Sequence, residues 1–279
     1  MSIQPIKEVQ TKILDVMKYI DEVCRTNDIE YFIMGGTALG AIRHGGFIPW
    51  DDDLDIFMTP SNYNKFKMVF DQKACEQFVL QEWKIVDGYL EYAKVRMNGT
   101  TFIENAFKNN KNMHHGIYVD IMILHKCPTN LILQKLMYYT SKYVTLVGLS
   151  QRNWVPKNNF QKFSLFLLKF LPQNFISKSC YKYIYKFDDL ENDYFYCYFI
   201  TKANFKQGIF DREMFSEAEN IKFEDTELLA PKNIKKYLEY RYGDYLRLPS
   251  IKEQQASIHA EIYDTESGFE DYIAKQKKD

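Results

Sequence analysis

Three carboxylates stand at every second position, Asp51, Asp53 and Asp55, with Asp52 between the first two. Alternation is the period of a β-strand, so if Leu54 and Ile56 point into a core, the three aspartates share the opposite face. Carboxylates that close repel one another by about 4 kcal/mol per pair at ~4 Å and an effective dielectric of ~20. A cation reverses that cost. The simplest chemistry is a divalent metal, Mg²⁺ or Mn²⁺, held against a phosphate. Asp120 sits in the middle of the apolar run 116–124, opposite in alternation to Val119 and Ile121, and can face the same site. Asp53 and Asp55 are therefore expected metal ligands that would polarise a pyrophosphate bridge and neutralise the leaving group, and Asp120 either completes the metal site or takes the acceptor proton. Asp51 is a third ligand or a hydrogen-bonding partner, and Asp52 is expected to face away. A calcium loop starting at Asp51 fails, because it needs Gly at position six and Glu at position twelve and finds Ile56 and Asn62.

The elements that must carry these groups follow from the pattern. The run 31–34 reads as a buried strand ended by a turn at Gly35-Gly36, and 37–43 as the first turns of a helix with Thr37 as its N-cap. A second strand covers 54–58. Glycines let a backbone approach a diphosphate, and a helix start offers free N–H groups, so Gly35, Gly36 and Thr37 form a candidate phosphate cradle. It is neither a P-loop nor a dinucleotide fingerprint, since no G-x-x-x-x-G-K-[ST] or G-x-G-x-x-G occurs. Lys94 and Arg96 alternate with Ala93 and Val95, so both can point to one face, and their donors suit phosphate oxygens. Arg43 is a weaker candidate of the same kind. His44 is open to base, donor or structural roles. His259 is a further site candidate, whereas His114 and His115 read as loop residues.

Around this centre, Ile13, Val16, Met17, Ile20 and Val23 share one face of a helix spanning 3–27. Further elements are a helix over 61–72, strands at 78–83, 90–97 and 116–124, and a helix over 234–242 stopped by Gly243. The block 131–187 reads as helices broken near Pro156 and Pro172, and the polar tail after Gly268 as frayed.

Composition is ordinary for a globular chain, at 46% apolar and 26% charged residues. Five scattered cysteines with no C-x-x-C fit a reduced, cytoplasmic setting. The first 17 residues carry Lys7, Glu8, Lys12 and Asp15, which excludes a secretory apolar core there, and no apolar run reaches the ~18 residues of a membrane span. The net charge of −1 hides an asymmetry. Between Ile121 and Phe187 lie ten Lys and Arg and no acid, leaving 26 basic against 37 acidic residues elsewhere. In this block, helical projection of 160–171 sets Lys162 and Lys169 together amid phenylalanines and leucines. It is either a solvated helical subdomain or a surface that docks, peripherally, on anionic lipid or a lipid-linked glycan. No nucleic-acid motif accompanies the charge, so nucleic acid is not an expected partner.

The string GGTALGAIRHGGFIPWDDDLDI at 35–56 resembles the LicD family of phosphotransferases, within the nucleotidyltransferase fold. Later segments recur in the family's order: Tyr92-Ala93-Lys94-Val95-Arg96 followed by Thr100-Thr101, Gly116 to Ile121, and Tyr242-Gly243-Asp244-Tyr245 with Pro249 downstream. The resemblance covers roughly 30–125 and 205–260; nothing comparable covers 126–204. It implies an α+β fold, a nucleotidyltransferase-like mixed sheet flanked by helices. The expected organisation is a catalytic core at 1–125, an inserted basic aromatic-rich helical region at 126–204, and a C-terminal part at 205–279 completing the core. It implies transfer of phosphocholine, or a similar phospho-alditol, from a CDP-linked donor to a hydroxyl of a cell-surface glycan, with release of CMP. The same glycines and aspartates would serve a nucleotidyltransferase moving NMP from a triphosphate, and a decayed site would leave a scaffold in glycan assembly. A DxD glycosyltransferase needs no glycine-turn helix before its aspartates and fits less well.

Overall fold

The computed structural model describes residues 6–73, 75–83, 89–105, 107, 108, 110, 112–150, 159–168, 170–200, 204–250, 254 and 259–276. The chain is α+β and divides into two compact units, one of 1–82, 93–122 and 214–279, the other of 83–92 and 123–213.

The first unit opens with α1 (Ile6–Thr26), whose Ile13, Val16, Met17, Ile20 and Val23 are all buried, as their spacing predicts. A five-stranded sheet has the order β1 (Phe32–Ile33), β2 (Asp55–Met58), β6 (Tyr118–Ile123), β4 (Tyr92–Met97), β3 (Phe78–Trp83). β1 and β2 are antiparallel, with Phe32 opposite Phe57 and Ile33 opposite Ile56. Between them runs α2 (Gly35–His44), and α3 (Pro60–Lys73) follows β2. The glycine pair is not a turn before the helix but its first turn. Met34 is the N-cap, and Thr37 lies inside the helix rather than capping it. The left-handed Gly45 ends it, with the Gly45 and Gly46 N–H groups bonded to the Ala41 and Gly40 carbonyls.

The rest of this unit buttresses that hairpin-like core. β5 (Thr101–Glu104) pairs antiparallel with β12 (Ala260–Asp264), with a bulge between Ala260 and Ile262. β10 (Ala218–Phe223) and β11 (Thr226–Pro231) form a hairpin whose two-residue turn carries Glu224. Glu224 accepts from the Phe47 N–H at 3.0 Å and its own N–H donates to the Gly45 carbonyl. A Cβ on Gly46 would run into the Glu224 side chain and force it to shift. α7 (Ile234–Tyr242) ends at Gly243 as expected. The tail is not frayed: Phe269–Gln276 is helical (α8), because Phe269 packs on the rings of His114 and His115. Those histidines are packing residues, and burial lowers both, His114 to about 4.

The second unit holds a three-stranded sheet in the order β7 (His125–Pro128), β8 (Tyr194–Cys197), β9 (Ile209–Phe210). Its helices are α4 (Leu131–Ser150), α5 (Asn159–Leu168) and α6 (Gln173–Tyr185), the last starting directly after Pro172. The break expected at Pro156 lies outside the described residues, as does Lys169. Cys127, Met137, Ile184, Phe187, Cys197 and Phe199 form one core here, and Val144, Tyr181 and Ile200 another. All five cysteines are free thiols.

Candidate active site

The acidic segment is tied down through backbone groups and buried side chains. Gln10, buried on α1, donates through Nε2 to the carbonyls of Ile48 (3.0 Å) and Asp51 (2.9 Å). The Thr37 hydroxyl accepts the Asp55 N–H at 2.9 Å, and the Asp55 carbonyl accepts the Met34 N–H at 3.1 Å. The Leu54 carbonyl accepts the Asp120 N–H at 2.9 Å, tying β6 to the segment. Only Asp55 lies in the strand, yet exposure still alternates: Asp51, Asp53 and Asp55 are half-buried while Asp52 and Leu54 are buried.

Asp52 does face away from its neighbours, but into the protein rather than solvent. Its carboxylate accepts the N–H groups of His259 (2.8 Å) and Ala260 (3.1 Å), and its Oδ1 lies 2.8 Å from His259 Nδ1. The same Nδ1 is 3.3 Å from Asp53 Oδ2, so His259 bridges the two. Burial opposes the imidazolium, but Asp52 and Asp53 outweigh it and raise His259 to about 10. One cation is thus built into the acidic segment.

The glycines set the helix start against these acids. Gly35 is left-handed at φ 55°, and a side chain there would come 3.6 Å from Asp55 Oδ2. A Cβ on Gly36 would sit 2.8 Å from Asp51 Oδ2. Gly35 N–H donates to the Tyr237 hydroxyl at 3.0 Å, and Ala38 N–H to the Met34 carbonyl. The Gly36 and Thr37 N–H groups meet no acceptor among the described residues. Two helix N-terminal N–H groups with no acceptor among the described residues therefore lie beside the carboxylates.

Lys94 and Arg96 are brought near the acids, but not as free phosphate donors. Lys94 Nζ lies 2.8 Å from Asp120 Oδ1, 3.0 Å from Asp120 Oδ2 and 3.1 Å from Glu104 Oε1, over the Tyr118 ring. Arg96 is wholly buried. It donates to Gln81 Oε1 (2.6 Å), the Gly116 carbonyl (2.9 Å) and Glu104 Oε2 (2.7 Å). Burial works against the Glu104 charge, yet Lys94 and Arg96 together pull its carboxyl down to about 2. Arg43 is likewise spoken for. It donates to His44 Nε2 and to the carbonyls of Tyr245 and Arg247, fixing the chain after α7. His44 is exposed, edge-on to Trp50.

The remaining acids are over-charged for their surroundings. Burial, then Asp53, raises Asp51 to about 8, and burial raises Asp53 to about 6 with Asp52 and Asp120 adding to it. Asp55 rises well above the carboxylate range through burial, Asp53 and Asp120. Asp120 is also raised, chiefly by burial. Its Oδ1 is ion-paired to Lys94 but lies off hydrogen-bonding direction, and so is buried without a hydrogen bond.

These residues fit a hard divalent cation in charge and donor type. Among the described residues no three His, Cys, Asp or Glu side chains are gathered as a complete metal cage.

Sequence reasoning did not single out Glu104, Tyr237 or the clamping role of Asp52. Glu104 lies at the end of β5 with no motif around it; the one available signal is that a Glu on a strand next to Lys94 and Arg96 has two buried cations to satisfy.

Residues 28–144 match the family model described as LicD/FKTN/FKRP, nucleotidyltransferase domain. The chain is 27% identical over 263 residues to the lipopolysaccharide cholinephosphotransferase LicD of Haemophilus influenzae, covering 92% of this chain and 97% of that protein. It is 29% identical over 128 residues to an uncharacterized protein of Rickettsia prowazekii, covering 46% of this chain and 44% of that one. A 42-residue stretch, 15% of this chain and 8% of the other, is 40% identical to the human ribitol 5-phosphate transferase FKRP. No described helix is long and apolar enough to cross a membrane.

Proposed function

We propose that this chain belongs to the LicD family, as its likenesses support, and that it transfers a phosphorylated head group from a CDP-linked donor to a hydroxyl of a cell-surface glycan and releases CMP. One observation carries the proposal: the Gly35-Gly36 start of α2, with its free N–H groups, abuts the carboxylates of Asp51 and Asp55. A diphosphate seated on those N–H groups brings negative charge against acids, and that arrangement is favourable only with a cation between them. The likeness to a cholinephosphotransferase and to a ribitol 5-phosphate transferase supports phosphoryl-group transfer to a glycan. The arrangement of the first unit is assigned to the nucleotidyltransferase fold on the same ground, with the basic helical segment as an insertion.

Asp53 and Asp55 would hold Mg²⁺, which when bound neutralises charge on the pyrophosphate bridge and the departing CMP. Gly36 and Thr37 hold the diphosphate through their N–H groups, while the Thr37 hydroxyl fixes Asp55. The acceptor oxygen forms a bond to the distal phosphorus as the bridging P–O bond breaks. The electron pair of the broken bond leaves on the CMP phosphate, and the hydroxyl proton passes to solvent water as the new bond forms. A carboxylate already engaged through both oxygens by Lys94 is a poor base, so Asp120 holds Lys94 and closes the acidic wall. Arg96 and Glu104 position that lysine from behind. Positioning and charge neutralisation do the catalysis.

The test is product release with Mg²⁺ from a panel of CDP-linked donors and plain triphosphates, with and without a glycan extract. CMP from one donor, dependent on acceptor and absent in Asp55→Asn, is the expected result. Pyrophosphate from a triphosphate would reassign the chain as a nucleotidyltransferase. Metal binding without turnover of any donor would make it a scaffold.

A further inference from the structure

The acid-free unit exposes aromatic side chains that its own cores do not cover. Among the described side chains of α5, Leu168 is buried and Phe163 and Phe166 are exposed, and Phe170 just beyond the helix is 72% exposed. Their spacing of three and four residues makes one stripe, and Phe166 and Phe170 meet edge to face at 5.1 Å. Next along the chain, Leu171 is exposed, and so is Phe175 in the first turn of α6, at 73%. From Phe175 the same face of α6 carries exposed Lys178 and Lys182 at helical spacing, and Lys162 is exposed on α5. An apolar corner thus runs into a cationic rail.

Nothing acidic in the neighbouring sequence balances it. After Asp120 the next acid is Asp188, whose carboxylate is already taken by His125 Nδ1 (2.9 Å) and the Lys126 N–H (2.8 Å). Solvent-exposed phenylalanines beside unopposed lysines have the composition of a segment lying in a membrane interface, rings among acyl chains and ammonium groups at phosphates. Crossing is ruled out for the described helices by their length and polarity. A second copy is the poorer occupant, since it would set lysine rail against lysine rail.

We propose that the α5–α6 corner docks on the surface of an anionic phospholipid bilayer, with Phe163, Phe166, Phe170, Leu171 and Phe175 inserted and Lys162, Lys178 and Lys182 on headgroup phosphates. The inference stands apart from the phosphotransferase proposal, because it draws on no residue of the acidic site.

The test is flotation of the full chain with vesicles of phosphatidylglycerol and phosphatidylcholine, against phosphatidylcholine alone, at low and high salt. The expected result is binding to the anionic vesicles that weakens with salt. Lys162→Gln, Lys178→Gln and Lys182→Gln combined should lower the partition coefficient by on the order of 10²-fold, about fivefold for each lysine. Phe163→Ser, Phe170→Ser and Phe175→Ser combined should abolish the binding that persists in salt, with an unchanged thermal melt showing that the fold is kept. No flotation at low salt overturns the proposal, as does equal flotation on neutral vesicles. So does a concentration-dependent dimer, removed by the Phe→Ser set, in a chain that ignores lipid. No catalytic signal enters this readout, so its failure leaves the phosphotransferase proposal standing.

Discussion

The two units treat charge in opposite ways. In the first, ionised groups are buried and cross-bonded: Lys94, Arg96, Glu104 and Asp120 lock together, and Asp52 holds two backbone N–H groups and a histidine. In the second, lysines such as Lys162, Lys178 and Lys182 stand in solvent beside exposed phenylalanines. Burying a charge costs several kcal/mol unless partners replace the lost water. A charge network is therefore kept where geometry matters to chemistry. A solvated charge beside bare apolar surface costs little in the fold and leaves both free for something outside it.

Asp55→Asn tests the first half of that contrast most severely. Turnover is expected to fall on the order of 10³-fold, with no loss of thermal stability, because the variant removes a carboxylate that its neighbours repel. A destabilised Asp55→Asn would show that the acids hold the fold rather than a cation. Next in size is Glu104→Ala, which leaves buried Arg96 without a carboxylate and Lys94 with Asp120 alone, and should cost about 3–5 kcal/mol in urea unfolding. Glu104→Gln adds a sign. Glu104 is held at about 2 against an ordinary 4.5, so its contribution is present above 4.5 and lost as pH falls through 2. The variant should flatten the acid limb of the stability profile in that window.

Magnesium sharpens the contrast by a smaller margin. Asp53 and Asp51 are raised to about 6 and about 8, so each ionises on the way from pH 5 to pH 9. Folding of the metal-free protein loses stability as pH rises through those values, since a raised carboxylate favours the protonated state. The rise in Tm on adding Mg²⁺ should therefore be small at pH 5 and larger at pH 9. Smallest of all is Phe170→Ser, expected within about 0.5 kcal/mol of the parent; a large loss would mean that ring is covered in the folded chain.

The sequence was a good guide where one face of one element decides the outcome. The α1 stripe, strand 78–83 and the helix 234–242 follow from period and a terminal glycine. The alternation at 51–55 was legible too, although most of that segment is loop. What sequence could not show is who satisfies whom. Thr37 looks like a cap by type and is instead the acceptor for a backbone N–H 18 residues away. Lys94 and Arg96 have the chemistry of phosphate ligands, but Glu104 and Asp120 claim them first. Such pairings depend on the sheet order, which no local pattern records.

The hold of Asp52 on His259 and Ala260 spans 207 and 208 positions of chain. Gly35 waits similarly for Tyr237, and Gly45 for Glu224. At about 5–20 residues per second of synthesis, a ribosome needs roughly 10–40 s to travel from Asp52 to its partners. Through that interval the nascent acidic loop has no latch, so the centre can form only late, once the distant strand has emerged and paired.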